Sequence, residues 1–93
     1  MTCAILDRPA DGGTVLLEAV LEAGTDAVDG RYQFSIRSVG KAGQSVSLQS
    51  GQFRAAPGER KSLGIVTVSA VDMAVEARLV VQSAAGVECA VQY

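Results

Sequence analysis

The chain has 93 residues, a formal net charge of −2, and hydrophobic residues at 48% of its positions. This length fits one domain with a thin core. With two Phe, two Tyr and no Trp, that core must consist mainly of small aliphatic side chains. The acidic balance provides no basic field for nucleic acid, no apolar run is long enough to span a membrane, and the absence of His removes imidazole from catalytic and metal-binding schemes.

Alternation of apolar and polar residues predicts seven strands separated by Gly, Pro and Asp turn signals. The second of them contains LLEAVLEA, which is a good helix former by propensity, but its parity and its lack of a capping box favour a strand. Residues 52–54 are predicted to be a brief separate extended piece. The predicted strands are Cys3–Asp7, Thr14–Glu22, Arg31–Val39, Gln44–Ser50, Ser62–Ser69, Val75–Gln82 and Val87–Tyr93.

Short strands without a clear helix predict an all-β fold, a seven-stranded immunoglobulin-like β-sandwich in a single domain over residues 1–93. In that topology the third, sixth and seventh strands share a sheet, and the first and last strands can lie beside each other. Tyr32, Phe34 and Ile36 would form the inward ridge of the third strand. Phe53 would cover the core from the other sheet.

The two cysteines, Cys3 and Cys89, stand at opposite ends of the chain. They are either two separate buried thiols or a disulfide between the first and last strands, which is the expected support for an extracytoplasmic domain with a thin core. Neither has a basic neighbour in sequence, and no CxxC motif is present, so thiol chemistry is not favoured. The start at Met1 fits a mature domain whose leader has been removed.

The sequence contains no catalytic constellation, metal-ligand cluster or cofactor motif, so we expect no enzyme activity, no metal and no cofactor. Pairs of carboxylates lie in predicted turns, where Asp is expected for local hydrogen bonding. The glycine pairs do not form a phosphate loop, because the required Gly-Lys-Ser/Thr pattern is missing.

The outward face of the sheet that contains the third and sixth strands carries the candidate partner-binding residues. Arg37 and Arg78 are expected to be neighbours on it. This face is either an ordinary solvated surface with Arg–Glu cross-strand pairs or a platform for an acidic or Gln/Asn-rich extended partner. The candidates are Arg31, Gln33, Arg37 and Arg78. The second candidate contact is the polar fourth strand, which is expected near a sheet edge and could accept a strand of the partner. Its polar residues are Gln44, Ser45, Ser47, Gln49 and Ser50.

The apolar residues predicted to be exposed are Leu16, Val20 and Val80, which are scattered over the surface. A long-lived partner needs a large apolar patch. Scattered exposure therefore favours transient contacts.

Five short runs in order resemble the curli-associated chaperone family CsgH, relatives of CsgC. The runs are GRYQFSIR (30–37), KAGQS (41–45), QSGQF (49–53), LGIVTVS (63–69) and VEARLVV (75–81), followed by a cysteine near the end. The resemblance covers nearly the whole chain, and the order and spacing of the runs carry it.

The resemblance implies a small periplasmic, monomeric immunoglobulin-like domain that does not insert into membranes. It would bind a curli-type amyloid subunit (CsgA-like) transiently and inhibit its premature polymerisation, without ATP and below one equivalent. The CxC pair of the CsgC branch is absent here, so a redox role is not implied. The alternative is a structural or adhesive β-sandwich module of an extracellular assembly.

Overall fold

Seven β-strands and one short 3₁₀ turn are present in the computed structural model, which describes residues 1–41, 43–69 and 73–93. The 3₁₀ turn, Asp11–Gly13, joins the first two strands. The second strand has the bounds that the sequence predicted, so LLEAVLEA is extended. The strands are β1 Thr2–Ala10, β2 Thr14–Glu22, β3 Val28–Gly40, β4 Gly43–Ala55, β5 Arg60–Ser69, β6 Met73–Ser83 and β7 Glu88–Gln92.

The strands form two antiparallel sheets that pack as a sandwich. One has the order β1-β2-β5 and the other β4-β3-β6-β7, so the predicted immunoglobulin-like sandwich is confirmed and β3, β6 and β7 do share a sheet. In constant-type immunoglobulin domains, the fourth strand joins the sheet of the first, second and fifth strands. Here β4 pairs with β3 instead. The β3–β4 hairpin pairs Val28 with Ala55 at one end and Gly40 with Gly43 at the other, which keeps the two consecutive strands together.

β4 is much longer than predicted, and it includes the piece that the sequence suggested was separate. Gly51 breaks the apolar pattern, but the ring of Tyr32 on β3 covers it: a Cβ at Gly51 would lie 3.2 Å from Tyr32 Cε1. An aromatic side chain over a strand glycine compensates for its missing side chain. Phe53 is therefore in the same sheet as Phe34, and the prediction that it covers the core from the other sheet is wrong.

The core lies between β2 on one sheet and β3 and β6 on the other. Phe34 is fully buried and Ile36 nearly so, which confirms the inward ridge of β3. Aliphatic side chains supply most of the rest. The largest fully buried side chains are Phe34, Leu17, Leu21, Leu79 and Val81.

Val20 was predicted to be exposed but is only 7% exposed. It lies beside a register shift: Ala19 pairs with Gly64 and Val20 with Ser62, so Leu63 of β5 is an extra residue. Such a bulge bends its strand and increases the local twist. Leu63 packs against the core, and alternation alone does not predict burial here.

The outer strands β1 and β7 are connected along one side of the sandwich. Cys3 and Cys89 form a disulfide with a Cα–Cα distance of 6.3 Å. The two strands lie beside each other, as expected, but in different sheets, so the disulfide joins the sheets. On the same side, the Tyr93 hydroxyl donates a hydrogen bond of 2.7 Å to Asp7 Oδ2. This hydrogen bond, together with desolvation, raises the pKa of Tyr93 above its usual value.

Removing the disulfide should lower the melting temperature. Its cysteines are 86 residues apart, and closing a loop of that length stabilises a protein by about 4–5 kcal/mol in the chain-entropy model. Thermal unfolding followed by circular dichroism, with and without reductant and with Cys3→Ser/Cys89→Ser, measures the effect. Two titratable thiols in the unfolded, unreduced protein would contradict the bond.

Gly30→Ala should destabilise the fold by about 1–3 kcal/mol. A Cβ at Gly30 would lie 2.7 Å from Ser83 Cα on β6, closer than real Cβ atoms come, and backbone cannot rotate away. Urea unfolding measures the change, with Gly24→Ala as the control, because its Cβ would be 3.7 Å from the nearest atom. Equal stability of the two variants would show that β3 and β6 can move apart at Gly30 without a loss in the free energy of unfolding.

Candidate functional site

One outward surface of the sandwich concentrates guanidinium and amide side chains. We call it the arginine face and define it as the outward side of the sheet β4-β3-β6-β7. Four of the six arginines of the chain and five of its six glutamines occupy its positions, against three carboxylates. Alternation produces this segregation, because every second side chain of a strand points to the same face. The residues are Arg31, Arg37, Arg54, Arg78, Gln33, Gln44, Gln52, Gln82, Gln92, Asp29, Glu76 and Glu88.

All four candidate residues from the sequence lie on this face and are exposed. Arg37 is directly opposite Glu76 on β6, and Arg78 is directly opposite Ser35 on β3. Arg37 and Arg78 are therefore diagonal cross-strand neighbours, a spacing of about 7–8 Å between backbones that long side chains bridge.

The candidates fall into two groups along β3. Arg37 and Arg78 line one shallow depression with Val46 and Glu76. Arg31 and Gln33 line another with Gln52 and Gln82. Arg31 and Arg37 are six positions apart along β3, which corresponds to about 20 Å of extended strand. A ligand that contacts both groups must therefore be long, as an extended peptide is.

Some polar side chains of the arginine face form hydrogen bonds with one another. The Arg37 guanidinium donates from Nη2 to Gln44 Oε1 on β4 at 3.4 Å, and Gln82 Nε2 donates to Glu88 Oε2 at 3.2 Å. Five donors on each guanidinium leave most of the hydrogen-bonding capacity of Arg37 free for a partner. The glutamine amides add both donors and acceptors, which suits peptide carbonyls and other amides as well as carboxylates.

The sequence analysis missed the part of the face that β4 supplies. Gln44, Gln52 and Arg54 belong to it, and so do the two most exposed large apolar residues in the described parts of the chain, Val46 and Leu48. The alternation of Val46, Leu48 and Ser50 with the residues between them was the available signal, but Gly51 appeared to end the strand. The prediction that Leu16, Val20 and Val80 are exposed is wrong, because these three are half-buried or buried. Other exposed apolar residues, such as Ile65 and Val87, are scattered, but Val46 and Leu48 lie together on β4.

The described residues contain no group of three or more His, Cys, Asp or Glu side chains placed to hold a metal ion. Both cysteines are in the disulfide, so neither is a free nucleophile. Among the same residues, no helix is long and apolar enough to cross a membrane. The guanidinium and amide side chains of the arginine face can form reversible hydrogen bonds, and the arginines can also pair with negative charge.

Solved structures share this architecture. The E. coli curli protein CsgC superposes with a TM-score of 0.85 at 15% identity, covering 99% of this chain and 96% of CsgC. The solution structure of R. palustris CsgH has a TM-score of 0.71 at 26% identity, covering 97% and 89% of the two chains. The sporulation control protein Spo0M of Bacillus subtilis has a TM-score of 0.57 at 16% identity, and the match covers 99% of this chain but only 46% of Spo0M.

The likenesses to CsgC and Spo0M show the fold alone, because their sequences are too distant to carry more. A comparison with curated proteins returns no match. The model of the family described as CsgH protein matches residues 2–92. That match spans nearly the whole sequence, and it shows that the chain belongs to the CsgH family.

Proposed function

We propose that this protein is a periplasmic chaperone that inhibits premature polymerisation of a curli-type, CsgA-like amyloid subunit. Its membership of the CsgH family and its fold, shared with a protein described as a curli protein, support a role in the curli system. The observation that carries the proposal is the concentration of arginine and glutamine on one exposed face, which suits an extended chain. Arg31, Gln33, Arg37 and Arg78 are the proposed client-binding residues.

The physics of amyloid growth explains how such a face can inhibit it. A fibril grows when strands pair through backbone hydrogen bonds and stack identical side chains. A folded domain that binds carbonyls, amides and carboxylates of an early aggregate competes for the same groups without supplying a strand of the same kind. Early aggregates are rare compared with monomers, so inhibition below one equivalent follows if the domain binds those species.

Exposed charges make this contact transient. Ion pairs at a solvated surface contribute about 0–1 kcal/mol each and are screened by salt. Binding of this kind is reversible and needs no ATP to release the client. The domain acts as a monomer, without a cofactor and without enzyme activity.

The disulfide supports the proposed periplasmic location. Disulfides such as Cys3–Cys89 persist in oxidising compartments, including the bacterial periplasm. This supports a periplasmic position for the proposed chaperone.

An adhesive or structural module of an extracellular assembly is the second candidate. Val46 and Leu48, 66% and 62% exposed on the same face, are the observation that favours it, because paired apolar side chains suit a lasting contact. Size-exclusion chromatography with the purified subunit separates the two functions. A chaperone leaves free monomeric domain, whereas a structural module elutes with the assembly.

Charge reversal on the arginine face should remove most of the inhibition. We expect the wild-type protein, well below one equivalent, to lengthen the lag phase of a purified curli-type subunit in a dye-fluorescence assay, and Arg37→Glu/Arg78→Glu to lose most of that effect. The matched control is Arg8→Glu/Arg60→Glu, which makes the same charge change at exposed positions of β1 and β5.

The control should inhibit like the wild type, and circular dichroism should show all three proteins folded. Equal inhibition by the Arg37/Arg78 variant would exclude the arginine face as the contact. No inhibition by the folded wild type would exclude the chaperone function itself.

A further inference from the structure

Four of the described strands are outer strands, and three of them carry features that prevent pairing with another chain. β1 contains Pro9, which has no backbone N–H, beside Asp7 and Arg8. β5 begins with Arg60 and Lys61 and contains the bulge at Leu63. β7 has five residues, and its Cys89 is tied to β1. Proline, charge, bulges and shortness are the devices with which natural sheets protect their edges.

The fourth outer strand, β4, lacks these devices over most of its length. It has 13 residues, and from 43 to 53 its sequence, GQSVSLQSGQF, contains neither a charged residue nor proline. It pairs with β3 on one side only, because it is the first strand in the order of its sheet. Over residues 43–53 its other side therefore has backbone groups that no described strand pairs with. Beyond them, the Arg54 carbonyl accepts a hydrogen bond of 2.6 Å from Lys61 Nζ of β5.

Packing between the two sheets also fixes the position of β4. A Cβ at Gly64 of β5 would collide with Gln49 Oε1 and lie 3.7 Å from Phe34 Cδ2. The Gln49 side chain therefore fills the space that Gly64 leaves between the sheets. This packing holds β4 in place before a partner arrives, which reduces the entropy lost on binding.

We propose that the free edge of β4 binds an extended, uncharged, Gln/Ser-rich segment of another protein by adding it as a fifth strand to the sheet. Backbone hydrogen bonds provide the affinity in this mode, and alternate side chains provide the selectivity. The lack of charge selects the partner, because a charged segment finds no ion-pair partner on residues 43–53 of the strand that it joins.

The side chains of β4 define the preferred partner further. Gln44, Ser50 and Gln52 point to the arginine face, and Ser45, Ser47 and Gln49 point to the other side. Amide and hydroxyl side chains opposite similar side chains form cross-strand hydrogen bonds. Val46 and Leu48 are exposed, so one or two aliphatic residues of the partner can pack against them.

This edge goes beyond the proposed contact of the arginine face, because it acts through the backbone and does not require a curli subunit. The two surfaces adjoin, since Arg37 on β3 contacts Gln44 on β4. A strand added to β4 would extend the arginine face by one strand.

The test uses a capped, uncharged peptide of alternating Ser–Gln and Ser–Val pairs, as long as the bare stretch of β4, and the ¹⁵N-labelled full chain. We expect chemical-shift changes and slower amide exchange along residues 43–53, and little change along β1, β5 and β7. A peptide with Glu at alternate positions should not produce them.

Val46→Lys/Leu48→Lys should weaken binding about tenfold or more, because lysine on an edge strand opposes strand addition. Both sites are exposed, so the fold tolerates the change. The matched control, Ile65→Lys/Val87→Lys, adds the same charge at positions that are 51% and 55% exposed, and it should bind like the wild type.

Absent or scattered shift changes, or equal binding by the β4 variant, would overturn the proposal. So would concentration-dependent shifts along β4 without peptide, which would make a second copy of the chain the occupant. Because the peptide is not a curli subunit, failure here leaves the amyloid assay unaffected, and failure of that assay leaves this result standing.

Discussion

The register of β3 is the constraint on which the rest of this structure depends. This strand pairs along its length with β4 on one side and β6 on the other. Its even positions place Phe34 and Ile36 in the core, and its odd positions place Arg31 and Arg37 in solvent. A slip of one residue would exchange the two sets, burying guanidinium groups in a core that has no partners for them. The core and the candidate site are thus two consequences of one register.

The core that β3 organises is made of small side chains, and this explains the importance of the covalent connection. Leucine, valine and alanine bury less area per residue than aromatic side chains do. The disulfide adds stability by restricting the unfolded chain, and it does so without occupying the arginine face. It also makes the sandwich asymmetric. One side is closed by the Cys3–Cys89 bond and the Tyr93–Asp7 hydrogen bond. The opposite side ends in β5 and β4, which a hydrogen bond from Lys61 to the Arg54 carbonyl connects near the end of β4.

This asymmetry separates stability from binding. The closed side holds the sheets together, so the sheet that carries the polar side chains can expose its edge and its outward face. The paired apolar residues Val46 and Leu48 lie where the face and the edge meet. A partner that contacts the arginines with its side chains and β4 with its backbone would use both surfaces at once. Such an arrangement suits an extended chain better than a folded one.

Much of this protein was determined by its sequence alone. Period-two alternation predicted the β-sandwich, the bounds of β2, the inward ridge of β3 and the common face of Arg31, Gln33, Arg37 and Arg78, because side-chain direction in a strand is a local property. The resemblance of five short runs to the CsgH family was also present in the sequence, and the family match confirms it.

Other features depend on contacts between residues distant in the chain, and only the tertiary structure decided them. From the sequence, Gly51 predicts the end of β4, but the ring of Tyr32 covers this glycine and the strand continues. Val20 is buried beside a bulge that alternation does not predict. The choice between free thiols and a disulfide depended on the fold, which brings β1 and β7 together from different sheets. The polar composition of the fourth strand predicted a position near a sheet edge, and the strand order confirms it. The length of that edge required the structure, because it depends on how far β4 pairs with β3.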